Sequence, residues 1–381
     1  MRHTAPTFTI GVEEEYLIVD KITRDLVQSP PKELMQKCEE ALKKQVSPEF
    51  LKSQIEVGTC VCHSIADVRQ QLKHLRSTIS EIVGHYNLAP IASSTHPFAL
   101  WAQQAHTDKE RYNELAHDLQ HVVRRMLICG MHVHIGIEDD DLRIDIMNQA
   151  CYFLPHLLAL STSSPFWQGE KTGLKSYRLS VFDELPRTGM PTQFQSYSEY
   201  ERTIKVLQNA GLIEDASKLW WDLRPSVRFP TLEMRITDTC PLIEDAICIA
   251  ALFLCICRFL YRLKSQNKRW RTYALFLINE NRWRAQRHGL EEGLVDFGKG
   301  KIVPCSELLQ ELISLLEEDI SYFNCEKEVH HALTIVKRGT SAERQIKLYD
   351  ALIAEGKPKQ EALSSLVDKL IEETVKYTPG Q

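Results

Sequence analysis

Three short segments carry most of the side chains that could do chemistry: Gly11-Val12-Glu13-Glu14-Glu15-Tyr16, Met131-His132-Val133-His134-Ile135 and Thr231-Leu232-Glu233-Met234-Arg235-Ile236. In an extended strand, alternate side chains point to opposite faces. Read that way, His132 and His134 share a face opposite Met131, Val133 and Ile135, and Glu233 and Arg235 share one opposite Leu232, Met234 and Ile236. Glu13 and Glu15 project together, although Glu14 falls with Val12 and Tyr16 and spoils the sorting. If the three segments lie in one sheet, one face is apolar and the other gathers Glu13, Glu15, His132, His134, Glu233 and Arg235. Carboxylates crowded together raise one another's pKa values unless a cation neutralises them. Several oxygen ligands with one or two imidazoles suit Mg²⁺ or Mn²⁺ better than a closed zinc site, and Mg²⁺ held by few protein ligands implies phosphate.

Each motif alone has a plain structural reading. An acidic triplet can be a solvated edge, paired histidines can be ordinary strand residues, and Glu-x-Arg can be a same-face ion pair of little worth when exposed. Their weight comes from coincidence, since all three segments sort charge to one side. Arg178, Arg187, Arg224, Arg228 and Arg235 fall within sixty residues. Guanidinium groups grip carboxylate and phosphate oxygens bidentately, so this density fits an anionic substrate or a phosphoryl group in transfer. No Walker A or Rossmann pattern occurs, so a nucleotide would have to be held by metal and arginine.

The elements that must position these residues read as follows. Strands are expected at Phe8 to Val19, Phe50 to Cys62, Leu88 to Ser93, Met131 to Ile137, Leu219 to Leu223 and Thr231 to Thr237. Helices are expected from Pro31 to Gln45, from a Ser64/Asp67 capping box to Tyr86, and from Asp139 to Ser161 with a kink at Pro155. Ser163 to Gln195 is too long for a mere connection, and loops of that length usually serve function. Everything after Pro241 is helical in pattern, including a last helix from Pro358 to Val375. The class is α+β, with a sheet-and-helix core over 1–240 and a helical portion over 241–381 packed on it as one integrated domain.

Composition sets the outer bounds. The 381 residues, 43% hydrophobic and 25% charged, describe a folded globular chain. Forty-six Lys and Arg against 51 Asp and Glu leave a net charge of −5, too weak and mixed to steer DNA or an anionic membrane. Eleven cysteines without CxxC spacing look like reduced thiols of the cytoplasm, with Cys60 and Cys62 read as core residues. The N-terminus lacks the apolar region of a secretory signal, and the longest apolar run, Ala246 to Cys257, reads as a buried helix.

At these same residues the chain resembles the type 2 glutamate-cysteine ligases, the carboxylate-amine ligases of the glutamine synthetase-like superfamily. The resemblance covers nearly the whole chain and rests on FTIGVEEEYLIVD at 8–20, SQIEVGTCVC at 53–62, STHPFA at 94–99, CGMHVHIGI at 129–137, SYRLSVFDELPRTGMP at 176–191, WDLRPSVRFPTLEMRITDT at 221–239, ENRWRAQRHGL at 280–290 and GTSAERQ at 339–345. It implies an antiparallel sheet with helices on one face and a charged funnel on the other, holding ATP and two metals, Mg²⁺ or Mn²⁺. It further implies Glu13, His132 and Glu233 as ligands of the metal that bridges the phosphates, and Glu15 and Glu56, with Glu49 as a weaker candidate, as ligands of the second. His134 would touch nucleotide phosphate, Arg235 and Arg228 would stabilise the moving γ-phosphate, and Arg178 and Arg187 would hold substrate or acyl phosphate. The implied reaction joins the side-chain carboxylate of glutamate to an amine, such as that of cysteine, through an acyl phosphate, giving ADP and phosphate. Departures from the family are Cys60 and Pro230, where proline and glycine are usual. A metal-dependent hydrolase built on the HxH pair and a catalytically silent ligand-binding protein are the alternatives. Partners would be small molecules, with no nucleic acid and no membrane, and the apolar C-terminal helices could pair two copies as a homodimer.

Overall fold

The computed structural model describes residues 5–376 apart from 111, 112, 114–116, 118, 121 and 124. Its centre is a seven-stranded antiparallel sheet. Strand β1 (Ile10–Asp20) is flanked by β3 (Gln54–Gly58) and β5 (Met131–Gly136), and β4 (Leu88–Ile91) pairs with its second half. Strand β2 (Val46–Pro48) extends the sheet beyond β3. Two two-residue pairings, β6 (Phe166–Trp167) with β7 (Glu170–Lys171) and β8 (Thr188–Gly189) with β9 (Trp220–Trp221), lie outside the main sheet. Strands β10 (Leu223–Pro225) and β11 (Thr231–Met234) then form a hairpin that completes the sheet against β5.

One face of β1 buries Ile10, Val12, Tyr16 and Ile18 in the main hydrophobic core. Helix Ile65–Gly84 covers this face, opened by Ser64, whose hydroxyl accepts from the Asp67 N–H at 3.1 Å. Glu14, the residue that spoiled the alternation, belongs to this apolar side and is fully buried. It is compensated there: Arg76, also fully buried, donates to both its oxygens at 2.5 and 2.9 Å, and the Tyr16 hydroxyl donates at 2.5 Å. Arg76 also reaches the carbonyls of Cys240 and Pro241 at 2.8 and 2.6 Å. A single buried ion pair thus ties β1, the helix and the chain entering the next helix.

That next helix, Ile243–Ser265, is long and apolar enough to cross a membrane by length and composition, yet most of it is buried inside the protein. It packs against helices Ile65–Gly84, Asp140–Ala150, Leu154–Ser161 and Glu326–Arg338 and against β5, so the main core draws on both halves of the chain. All eleven cysteines are free; Cys62 and nine others are buried, whereas Cys60 is exposed rather than part of the core.

Five expected elements differ. The strand expected over Phe50 to Cys62 is confined to β3, with β2 lying before it. The strand expected over Leu219 to Leu223 is divided between β9, which pairs with β8, and β10 of the main sheet. The helix from Asp139 to Ser161 is broken rather than kinked: it stops at Ala150 and restarts at Leu154, with Pro155 in the first turn of the second helix, where its missing N–H costs nothing. The long loop contains a short helix, Tyr177–Phe182. The C-terminal portion is not wholly helical, because β12 (Leu294–Asp296) and β13 (Lys301–Val303) form a hairpin.

Candidate active site

The sheet register lines up the charged residues in three rows across the strands. In the first, Arg224 of β10 stands opposite Glu233 of β11, which stands opposite His134 of β5, which faces Gly11 of β1. In the second, His132 faces Glu13, which faces Gly58 of β3, and Arg235 approaches His132 from the end of β11 at 3.4 Å. In the third, Glu15 faces Glu56, which faces Ser47 of β2. The Glu13 carboxylate reaches the His134 ring at 3.5 Å. A Cβ on Gly130, just before β5, would collide with the Arg178 guanidinium.

Three groups of potential ligands emerge, each with its donor atoms within 4.8 Å of one another: Glu13, His134 and Glu233; Glu13, Glu56 and His132; and Glu15, Glu49 and Glu56. The expected second grouping of Glu15, Glu56 and Glu49 is thus drawn together by the fold. The first differs from expectation in its imidazole. His134, expected on phosphate, joins Glu13 and Glu233, whereas His132 is parted from Glu233 by Arg235, whose Nη1 lies 2.5 Å from Glu233 and 3.4 Å from His132. Register decides this, since Glu233 is directly across from His134.

These groups hold one another in defined charge states. Burial pushes the Glu13 carboxyl upward, but contacts with His132 at 3.2 Å and His134 at 3.5 Å more than offset it and hold it well below the usual range. Glu233 is also held well below its usual range: burial is outweighed by Arg235 and by Arg224, which grips both its oxygens at 2.9 and 3.2 Å. At the other end Arg235 acts too weakly to offset burial and the neighbouring carboxylates. Burial and the neighbouring Glu13 and Glu15 push Glu56 up to about 7, and burial with Glu15 and Glu56 raises Glu49 well above its ordinary value. Burial followed by Arg235 lowers His132, whereas Glu13 and Glu233 outweigh burial and raise His134.

This donor set fits hard divalent cations. The Nε2 atoms of His132 and His134 are buried without a hydrogen-bond partner among the described residues, each with a carboxylate oxygen 3.5–3.9 Å away. Two ligands of one ion stand about this far apart when each is bound at 2.0–2.6 Å. A carboxylate oxygen has two lone pairs, so Glu233 can accept from arginine and still face a cation.

The groups line a cavity of about 480 Å³. Arg228, Arg235 and Arg178 line it as well. Arg178 sits on the helix Tyr177–Phe182, which is anchored by Asp238: this carboxylate accepts from the hydroxyls of Ser164 and Ser176, each at 2.8 Å, and from the Ser163 N–H. Arg187 is not among the lining residues, because its guanidinium donates to the Lys218 carbonyl at 3.0 Å and lies over the Trp220 ring. Sequence reasoning passed over Arg224 as a partner of Glu233, and it missed Ser47, Lys109 and Lys218 as lining residues. Only Arg224 carried a signal, as one of the clustered arginines. It also missed Arg282, buried in the 280–290 motif, whose bonds to Asp222 and Asp183 brace the chain behind β10 and Arg178.

A family model described as Glutamate-cysteine ligase family 2 matches residues 9–369. A Rhodospirillum rubrum protein named "Putative glutamate--cysteine ligase 2" is 57% identical over 374 residues, covering 97% of this chain and 96% of its own. A Paracoccus denitrificans protein of the same name is 50% identical, covering 97% and 98%. Among solved structures, the glutamate-cysteine ligase of Francisella tularensis in complex with AMP has a TM-score of 0.69 at 13% identity, over 98% of this chain and 90% of that one. A bifunctional glutathione synthetase from Pasteurella multocida gives 0.68 at 16% identity, over 96% of this chain and 52% of that one. These two likenesses are of fold.

Proposed function

Since the chain belongs to glutamate-cysteine ligase family 2, and is therefore a ligase coupling a carboxylate to an amine, we propose that it activates the side-chain carboxylate of glutamate with ATP and passes the acyl group to an amine. A carboxylate oxygen attacks the γ-phosphorus, the bond from that phosphorus to the β-phosphate oxygen breaks, and ADP leaves. The nitrogen lone pair of the amine then forms the C–N bond, the C–O bond to phosphate breaks, and phosphate departs carrying the proton lost by nitrogen. No nucleophilic side chain is needed, so the protein contributes position and electrostatics.

The single observation that carries this reading is the pair of unpartnered, buried imidazole Nε2 atoms among carboxylates, with guanidinium groups at the same cavity wall. Mg²⁺ or Mn²⁺, when bound, would neutralise phosphate and carboxylate charge. Glu13, His134 and Glu233 would hold one ion and Glu15, Glu49 and Glu56 the other, with Glu13, Glu56 and His132 between them. Arg235, kept charged and buried beside Glu233, stands where it can stabilise the equatorial oxygens of a transferring phosphoryl group, and Arg228 enters from the exposed β10–β11 turn.

Glu233→Gln keeps the shape but removes the charge that Arg224 and Arg235 share. ADP production with Mg-ATP, glutamate and amine should fall at least about 100-fold, the scale of losing one preorganised electrostatic group, with an unchanged circular dichroism spectrum. Near-normal ADP production by this variant contradicts the assignment.

A further inference from the structure

The cavity does not end with the charged rows. Along β1 the face that carries Glu13 and Glu15 continues into Leu17 and Val19, which belong to a second hydrophobic core, and along β3 Glu56 gives way to Gln54. Gln54 is occupied with the Ile128 carbonyl at 2.7 Å. Phe50, Val123, Ile128, Phe182 and Leu185, each at most 6% exposed, line the same cavity, in company with Met126, Trp220 and the Lys109 side chain. This apolar recess adjoins the Glu15, Glu49 and Glu56 group directly: Glu49 precedes Phe50 in the chain and accepts its N–H at 3.0 Å.

We propose that this recess takes the side chain of the amine substrate, and that the substrate is an α-amino acid whose side chain is apolar and larger than that of cysteine. The inference rests on the ligase reading above and deepens it. Glutamate and the triphosphate of ATP are charged, and burying charge against such a wall is costly; if the adenine base filled the recess instead, phosphate release would not depend on the size of the amine's side chain. The attacking nitrogen must be unprotonated, and apolar surroundings disfavour the ammonium form. None of the five wall residues offers a thiol a hydrogen bond or a metal, and a side chain as short as that of cysteine would leave wall atoms without contacts. Arg178 supplies the remaining element. Its guanidinium lies over the Phe182 ring at 5.4 Å, it is buried, and its Nε has no partner, which suits the free carboxylate of an amino acid.

The test follows phosphate release by the full chain with Mg-ATP and glutamate and one amine at a time: cysteine, serine, valine, leucine, methionine, phenylalanine, and isoamylamine as leucine without its carboxylate. A hydrophobic site discriminates roughly 10- to 200-fold per methylene. The best apolar amino acid should therefore exceed cysteine and serine at least about 10-fold in kcat/KM, and leucine should exceed isoamylamine. Leu185→Ala, by enlarging the recess, should move the preference toward a bulkier side chain. Preference for cysteine or serine overturns the proposal while leaving the ligase reading intact, and equal use of leucine and isoamylamine overturns the role given to Arg178. Phosphate release with no amine at all counts against the ligase reading itself.

Discussion

His96, within STHPFA, shows how far a single residue's chemistry is set by its neighbours. Its Nδ1 accepts from the Phe98 and Ala99 N–H groups at 3.2 and 2.9 Å, so Nε2 must carry the hydrogen toward the Arg24 carbonyl at 2.8 Å. Burial pushes its pKa down to about 4, and a protonated Nδ1 would also face the two N–H donors it now accepts from. Burial does the same to His156, also down to about 4. In the unfolded chain both titrate near 6.5, so between about 6.5 and 4 the unfolded state binds more protons. Their contribution is complete above pH 6.5 and is lost as pH falls through 4. Each adds up to about 1.4 kcal/mol per pH unit in that window. His156→Leu should therefore flatten the pH dependence of urea-unfolding stability by that amount relative to the unaltered protein; an unchanged slope would show that His156 is not buried neutral. Neither histidine announces this in the sequence, where both are single histidines among apolar or small residues.

At the scale of elements, the link between β1 and the helix Ile65–Gly84 depends on Glu14 and Arg76. Removing one member of a buried pair leaves an uncompensated charge, at a cost of about 3–5 kcal/mol. Arg76→Met should lower unfolding free energy by that amount, and adding Glu14→Leu should restore part of it, both read from urea titrations. If Arg76→Met were neutral, the pair would not join these elements. Alternation made β5 and β11 readable, because each puts a single kind of side chain on each face. It misled at Glu14, since the sequence does not state that an arginine sixty-two residues away will pay a buried carboxylate's desolvation. The Leu294–Asp296 and Lys301–Val303 hairpin escaped notice because its strands are three residues long, too short for a period of two to show.

For the whole molecule, the decisive fact is that β1, β3, β5 and β11 bring Glu13, Glu15, Glu56 and Glu233 onto one face, where imidazoles and arginines pair with some of them but leave Glu49 and Glu56 poorly compensated. Folding therefore works against repulsion among Glu15, Glu49 and Glu56 that divalent ions would relieve. Mg²⁺ or Mn²⁺ binding only the folded state should stabilise it by about 2.7 kcal/mol at a hundred times its Kd. The expected result is a rise of several degrees in Tm on adding Mn²⁺, reversed by chelator and much reduced in Glu13→Gln, since Glu13 belongs to two of the three groups. An equal rise in that variant would place the ions elsewhere. The members of the site were legible as residue types on strand faces. The histidine of the first group was not, because which one meets Glu233 depends on register, and register is a relation between strands rather than a property of either. Where Arg187 would turn was not legible for a related reason: a loop has no periodicity to tell which way an arginine points.

The second core, whose Phe182, Leu185 and Ile128 wall the recess, is closed by Val367 and Leu370 of the helix Lys359–Val375. That helix is pinned further by the Thr374 hydroxyl, which accepts from the Ala92 N–H at 2.9 Å, and by Asp368, which pairs with Arg24. A chain leaves the ribosome from its N-terminal end. Every carboxylate and imidazole of the three rows is therefore translated more than a hundred residues before the helix that completes this core, so a chain stopped just after the β10–β11 hairpin would carry the full set of acidic groups on a sheet whose second core still stands open.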